Sequence, residues 1–253
     1  MRSIVFAKRT FIEIMRDPLS YIFCLGFPMI MLVLMTILDQ SIPSQANMTV
    51  FHIENLSPGI AYFGLTFIML FSSIQVSKDR STALLMRLYA SPMKPADYVI
   101  GYTLPVCALA LIQMVLCFGA ALVIGLFVDY SFSLVAILFS MLALLPSALL
   151  FIGIGIFFGS LVSDKAAPGL CSILISAAGM VGGIWMDIDG LGGMMKKVAS
   201  ALPFYHGVSL ARIPFRENTD GMAGHLLWTA ISATVIYVAA VMIFKEKMKQ
   251  DVK

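Results

Sequence analysis

Acids, bases, nucleophiles and metal ligands are scarce in this chain, and their spacing excludes most chemistry. There is no H-E-x-x-H, no G-x-S-x-G and no C-x-x-C. The four cysteines, Cys24, Cys107, Cys117 and Cys171, each sit in an apolar run, and no pair has metal-ligand spacing. They read as small packing hydrophobes. His206 stands between Tyr205 and Gly207, with Ser209 nearby, which would suit a hydrolase, but no nucleophile elbow accompanies it. A G-x-x-x-x-G-K-[ST] segment is also missing, so the chain has no P-loop with which to hydrolyse ATP. The reading is a protein without a catalytic centre, cofactor or metal of its own.

The elements that would carry such residues are almost wholly apolar. Of 253 residues, 60% are hydrophobic and 12% charged, and the mean hydropathy is +0.93. A soluble domain is about half apolar and about one quarter charged, because its surface must face water. An integral membrane protein of one domain, residues 1–253, is the remaining class. No stretch concentrates enough Lys and Arg to form a nucleic-acid groove.

A helix needs roughly 20 apolar residues to cross about 30 Å of hydrocarbon. Six windows lack Asp, Glu, Lys and Arg: Pro18 to Leu38, Asn55 to Ser77, Tyr98 to Val128, Tyr130 to Ser163, Ala166 to Met186 and Gly221 to Phe244. The third and fourth exceed one crossing and are expected to tilt, kink at Pro105 and Pro146, or extend into the interface. Segments such as Phe67-Ile68-Met69-Leu70-Phe71 lack the alternation of a β-barrel strand. The expected fold is therefore all-α with six transmembrane helices. The first span has no clean cleavage site and is read as a retained helix.

Residues 1–17 read as an amphipathic interfacial helix. Ile4, Phe11, Ile12 and Met15 alternate there with Lys8, Arg9, Glu13 and Arg16. Six crossings put both termini on one side. Thirteen of the 17 Lys and Arg fall on that side, and only Lys196, Lys197, Arg212 and Arg216 on the other. The positive-inside rule makes the termini cytoplasmic.

Three connections stand out. The loop from Asp39 to Leu56 is polar and reads as a solvated outer connection, in which Asn47-Met48-Thr49 fits a glycosylation pattern. Residues 78–97 read as a loop carrying a short helix, capped by Ser81 or Thr82 and stopped by Pro92. Its stripe of Leu84, Leu85 and Leu88, beside Arg80 and Arg87, needs either the lipid surface or another protein as partner. Residues 187–220 are too apolar for a free loop and too short for two crossings, so a re-entrant or interfacial hairpin is expected.

Inside the spans, Gln75, Gln113, Thr36, Thr66 and Thr103 are the notable polar groups, and Gln113 is expected to hydrogen-bond across helices. Without membrane-embedded carboxylates there is no evident proton relay. Gly153, Gly155, Gly159, Gly179, Gly182 and Gly183 permit close helix contact. The Gly155–Gly159 G-x-x-x-G serves dimerisation or packing within one protomer equally well.

The whole chain resembles the six-span membrane subunit of type-2 ABC transporters, the ABC-2 permease family. After span two, Asp79-Arg80 stands where the family has Glu-Arg. Leu85, Arg87, Leu88, Ser91-Pro92 and Gly101 also match, while Ala83, Leu84 and Met86 depart from it. Gly159-Ser160-Leu161, Gly183, Leu202-Pro203-Phe204-Tyr205 and Ala211-Arg212 follow the family order. Leu202 replaces its Asn, and the proline after Gly183 is absent.

The resemblance implies a coupling helix that uses Asp79, Arg80, Leu84, Leu85, Arg87 and Leu88 to engage a separate ATP-binding subunit, which holds ATP and Mg. It implies two such subunits with two permeases, identical or paralogous, in the lipid of a bacterial cell membrane, exporting an amphiphilic drug, antibiotic, peptide or lipid-like molecule. Phe23, Phe27, Phe63, Phe67 and Trp185 would then line the substrate pathway, and Pro203, Phe204 and Tyr205 its outer gate. A stand-alone channel or secondary carrier, or an intramembrane enzyme, is the alternative class.

Overall fold

The computed structural model describes residues 2–43, 48–82, 93–216 and 220–251. The described residues form helices and turns without strands. In chain order the helices are α1 (Arg2–Arg16), α2 (Tyr21–Ser41, its first turn π-helical), α3 (Ile53–Ser81), α4 (Pro95–Gly125), α5 (Leu134–Leu161), α6 (Ala167–Val181), α7 (Ile188–Leu191), α8 (Gly193–Ala201), α9 (Pro203–Arg212) and α10 (Met222–Asp251). Five are long and apolar enough to cross a membrane: α2, α3, α4, α5 and α10.

The fifth expected span is the exception. Its helix stops at Val181 after 15 residues, about 22 Å at 1.5 Å per residue, short of a full crossing. Gly182 and Gly183 turn the chain there, and Gly183 has φ +78°, a backbone setting that side chains resist. Ile184 to Met186, apolar in sequence, continue outside the helix.

The core sits around α3. In its most apolar 18-residue window 78% of residues are buried, against 17% for α10. That contrast identifies α3 as the central helix and α10 as a peripheral one. Glycines let α5 approach it. A Cβ on Gly155 would strike the Met69 carbonyl, and one on Gly159 would lie 2.6 Å from the Ser73 carbonyl oxygen. The G-x-x-x-G face is therefore occupied inside the protomer by α3. Gln113 of α4 reaches the Ala61 carbonyl of α3 at 3.4 Å, the cross-helix bond its depth suggested.

α1 carries two apolar faces. Phe6, Ala7 and Ile14 are buried against the bundle, where Phe6 meets Tyr98 and Tyr102 of α4 edge-on at 5.8 and 4.9 Å. Ile4, Val5, Phe11, Ile12 and Met15 are exposed on the other side, as a helix lying at a lipid interface requires. Tyr98 also stacks on Phe244 of α10 at 6.2 Å. The start of the chain, the end of α3, the start of α4 and the last part of α10 thus share one end of the bundle. Helices α7 to α9 sit at the other.

Candidate functional site

At the termini end, the last turns of α3 are joined to three other helices. Asp79 is buried, at 4% exposure. Arg9 of α1 grips it with both terminal nitrogens, Nη1 to Oδ2 at 3.1 Å and Nη2 to Oδ1 at 3.2 Å. The Tyr102 hydroxyl of α4 donates to Oδ2 at 2.8 Å. Glu13 pairs with Arg9 and accepts from Gln75 Nε2 of α3 at 3.0 Å. A forked guanidinium on a carboxylate is the strongest side-chain pairing available, and burial makes each partner costly to lose.

Arg80, next in sequence, points elsewhere. It donates to the Ser160 carbonyl, and to the Val162 carbonyl at 2.9 Å. These are orphan carbonyls at the end of α5, where a cation is favoured.

Asp79 and Arg80 belong to α3 itself and not to a free loop, because the helix continues four residues past the expected end at Ser77. Ser81 is the last residue of α3 and Thr82 follows it, while the short helix expected after them lies outside the described residues. The Ser81 and Thr82 hydroxyls donate back to the Lys78 carbonyl at 2.9 and 3.0 Å, closing α3. Leu84, Leu85, Arg87 and Leu88 lie outside the described residues, as does Asn47.

An aromatic seam, buried at Phe63 and partly exposed at its other rings, joins α2, α3 and the turn after α6. Phe27 of α2 meets Phe67 of α3 at 5.0 Å, Phe67 meets Phe63 at 5.3 Å, and Phe63 meets Trp185 at 5.1 Å. Residues up to 158 positions apart are brought into one line because α2, α3 and the turn after α6 converge. Phe23 is not part of it; it lies one turn earlier and is exposed. At Trp185 the seam meets a pocket of about 300 Å³ lined by Met48, Val50, Phe51, Trp185, Met186 and Leu191 with the polar Thr49 and Asp187.

The hairpin occupies the opposite end. Pro203 opens α9, where its missing N–H costs nothing. Phe204 is buried and stacks on Phe151 of α5 at 6.0 Å, which makes it an anchor of the hairpin. Tyr205 reaches outward, its hydroxyl donating to Asp189 Oδ1 at 2.8 Å, and Lys196 pairs with the same oxygen at 2.9 Å. Partial burial pushes the Asp189 carboxyl up, but the hydrogen bonds from Lys196 and Tyr205 outweigh it and hold the group below its usual range.

Arg212 is the residue that sequence reading undervalued. It matched a motif position without a role. In the fold it is buried and bridges two elements, Nε donating to the Asn55 carbonyl at 2.9 Å and Nη1 to the Gly183 carbonyl at 2.8 Å. Its third nitrogen packs over Gly59 with no hydrogen-bond partner. Burial, with Arg216 nearby, pushes its pKa down to about 10, which leaves it charged at neutral pH. Arg9 and Tyr102 were also missed. Seventy residues separate Arg9 from Asp79, and only an ion-pair guess between isolated charges could have joined them.

Among the described residues no group of three His, Cys, Asp or Glu side chains converges as a metal site. Three cysteines are buried, Cys107 is half-buried, and all four are free thiols.

A family model described as ABC-2 family transporter protein matches residues 40–242, from the end of the first long helix into the last. No curated protein matches the chain. The matched stretch includes α3 to α9 whole. A long-helix membrane bundle that carries the ABC-2 pattern over most of its length belongs to the ABC-2 transporter family, as a multi-pass permease component that works with a separate ABC ATP-binding subunit.

Proposed function

We propose that this permease exports an amphiphilic molecule, a drug, antibiotic, peptide or lipid-like compound, from the cytoplasm of a bacterium, in an assembly of two permeases and two ATP-binding subunits. The second permease is identical or paralogous. The observation that carries the reading is the Arg9–Asp79–Tyr102 cluster with the adjacent Arg80 contacts, directly before residues 83–92. A push delivered to residues 78–97 by an ATP-driven subunit would reach α1, α3, α4 and α5 together.

The remaining assignments follow from that reading. The chain crosses the plasma membrane six times, with α6 and Ile184–Met186 completing the fifth crossing and both termini in the cytoplasm. In its support, α6 follows the end of α5 at the termini end and leads into Gly183, which meets Arg212 at the other. The aromatic seam of Phe27, Phe63, Phe67 and Trp185 offers apolar, polarisable surface that an amphiphile needs. Pro203, Phe204 and Tyr205 form the outer gate region, with Phe204 fixed in the core and Tyr205 as its movable member. Leu84, Leu85 and Leu88 face the ATP-binding subunit, flanked by Arg87.

The test charges that stripe. Leu85→Glu with Leu88→Glu should release the ATP-binding subunit in pull-down while membrane insertion is retained. Undiminished capture of that subunit would remove the coupling assignment.

A further inference from the structure

Away from the Arg9–Asp79–Tyr102 cluster and the aromatic seam, two imidazoles join the hairpin to the last long helix. His206 of α9 and His225 of α10 face each other with Nδ1 to Nδ1 at 2.7 Å, a hydrogen-bond distance. The other nitrogen of His206, Nε2, lies 2.9 Å from the Ser200 carbonyl at the end of α8. A carbonyl only accepts, so His206 carries its proton on Nε2 and its neutral Nδ1 is bare. The shared bond must therefore run from the His225 Nδ1–H to His206 Nδ1. The rings stand 4.9 Å apart, with Trp228 5.5 Å from His206 and Tyr205 5.9 Å from His225.

This chain of bonds, α8 to α9 to α10, exists only for a limited set of protonation states. One added proton is tolerated, because an imidazolium donates to a neutral imidazole. Two added protons put N–H against N–H and two positive charges at contact, and no tautomer restores the bond. The charged groups around the pair come from each neighbouring element: Asp189 of α7, held by Lys196 of α8; Tyr205 on α9; and Arg216 after the short helical turn that follows α9. Burial and the adjoining His206 ring disfavour charge on His225, Asp189 favours it and Arg216 repels it, and the balance is against the charged ring.

We propose that His206 and His225 form a pH-sensitive clasp that holds the α8–α9 hairpin against α10 and lets go when both rings are charged. The far half of α9 would stay in place, because Arg212 remains bonded to Asn55 and Gly183. Motion is thereby confined to the α8–α9 junction, beside Tyr205. The clasp does not depend on what is transported or on coupling to the ATP-binding subunit, and its test uses neither.

Nitroxide labels on Lys197→Cys and Gly224→Cys report the junction. Lys197 is exposed, and a side chain at Gly224 meets nothing within 4 Å. The full chain, with the four native cysteines changed to alanine, is placed in lipid nanodiscs and its label separation measured by pulsed electron resonance at about pH 8 and, because the second proton must enter below the ordinary imidazole range, about pH 4. The expected result is a single short distance at the higher pH and an added longer population at the lower. His225→Asn, which keeps a donor and an acceptor but cannot charge, should hold the short distance at both. Identical distributions at both pH values in the histidine protein would overturn the proposal, as would a shift that persists in His225→Asn.

Should the cysteine-free chain fail to fold, the native Trp228 serves as the probe in a Trp185→Phe protein. Its emission maximum should shift on acidification as His206 and the α8–α9 junction leave it. An emission maximum that ignores pH, or that shifts equally in His225→Asn, would overturn the proposal as well.

Discussion

Asp79 shows how much one side chain does in a chain with few charges. Its carboxylate accepts from Arg9 and Tyr102 together, and both lose that acceptor without it. Asp79→Ala should lower stability by about 1–3 kcal/mol, the worth of hydrogen bonds to a buried charged group. Thermal unfolding in detergent would measure this, and exposed Asp164→Ala provides the comparison at within about 0.5 kcal/mol. Gly155 is the apolar counterpart. An added methyl would meet the Met69 backbone, which has nowhere to go. Gly155→Ala should therefore cost about 1–3 kcal/mol by overpacking, while Gly119→Ala, open on all sides, should cost nothing measurable. The glycine motif was legible in the sequence, but its partner was not, since G-x-x-x-G describes a shape that either α3 or a second protomer could fill.

Among the elements, the segment read as a hairpin holds three short helices, α7 to α9. Its apolar content and length indicated a folded, non-spanning piece. Phe204 is buried and stacks on Phe151, a contact its sequence context did not indicate. Asp189 has the clearest pH consequence. Its folded pKa lies below the unfolded one, so the stability it contributes is present above about the ordinary carboxylate value of 3.8 and is lost as pH falls through the lower, folded value. Lys196→Met combined with Tyr205→Phe removes both hydrogen bonds and leaves burial opposed only by the charge of Arg216. The Asp189 carboxyl, followed by carbon-detected NMR, should then titrate higher than in the parent protein. An unchanged titration would mean that the Lys196 and Tyr205 contacts do not govern this group. At the termini end, α3 runs on through Ser81 because Lys78 and Arg80 sit in its last turn, where cations favour helix. A search for uncharged windows necessarily ended too early there.

Across the whole molecule, the distribution of Lys and Arg sets the expected orientation and the fold sets which residues share an end. Residues Phe6, Asp79, Tyr98 and Phe244 converge at one end, and Asn55, Gly183, Arg212 and His225 lie toward the other. In intact cells a membrane-impermeant thiol reagent should modify Lys197→Cys without permeabilisation and Lys245→Cys only after it. The reverse pattern would invert the direction of every proposed movement.

Composition and charge determined by themselves that this chain is a helical membrane protein and roughly where its apolar segments lie, and short motifs carried its resemblance to an ABC-2 permease. Those properties are local, since hydrophobicity and the length of an uncharged run are written into consecutive residues. Tertiary structure alone decided that α6 is only 15 residues long, that α3 is the centre of the bundle, that Arg9 holds Asp79 and that His206 meets His225. Each of these depends on residues distant in the chain arriving at one place. Side-chain pairing acts over a few ångströms of space, and a linear sequence records no such distances.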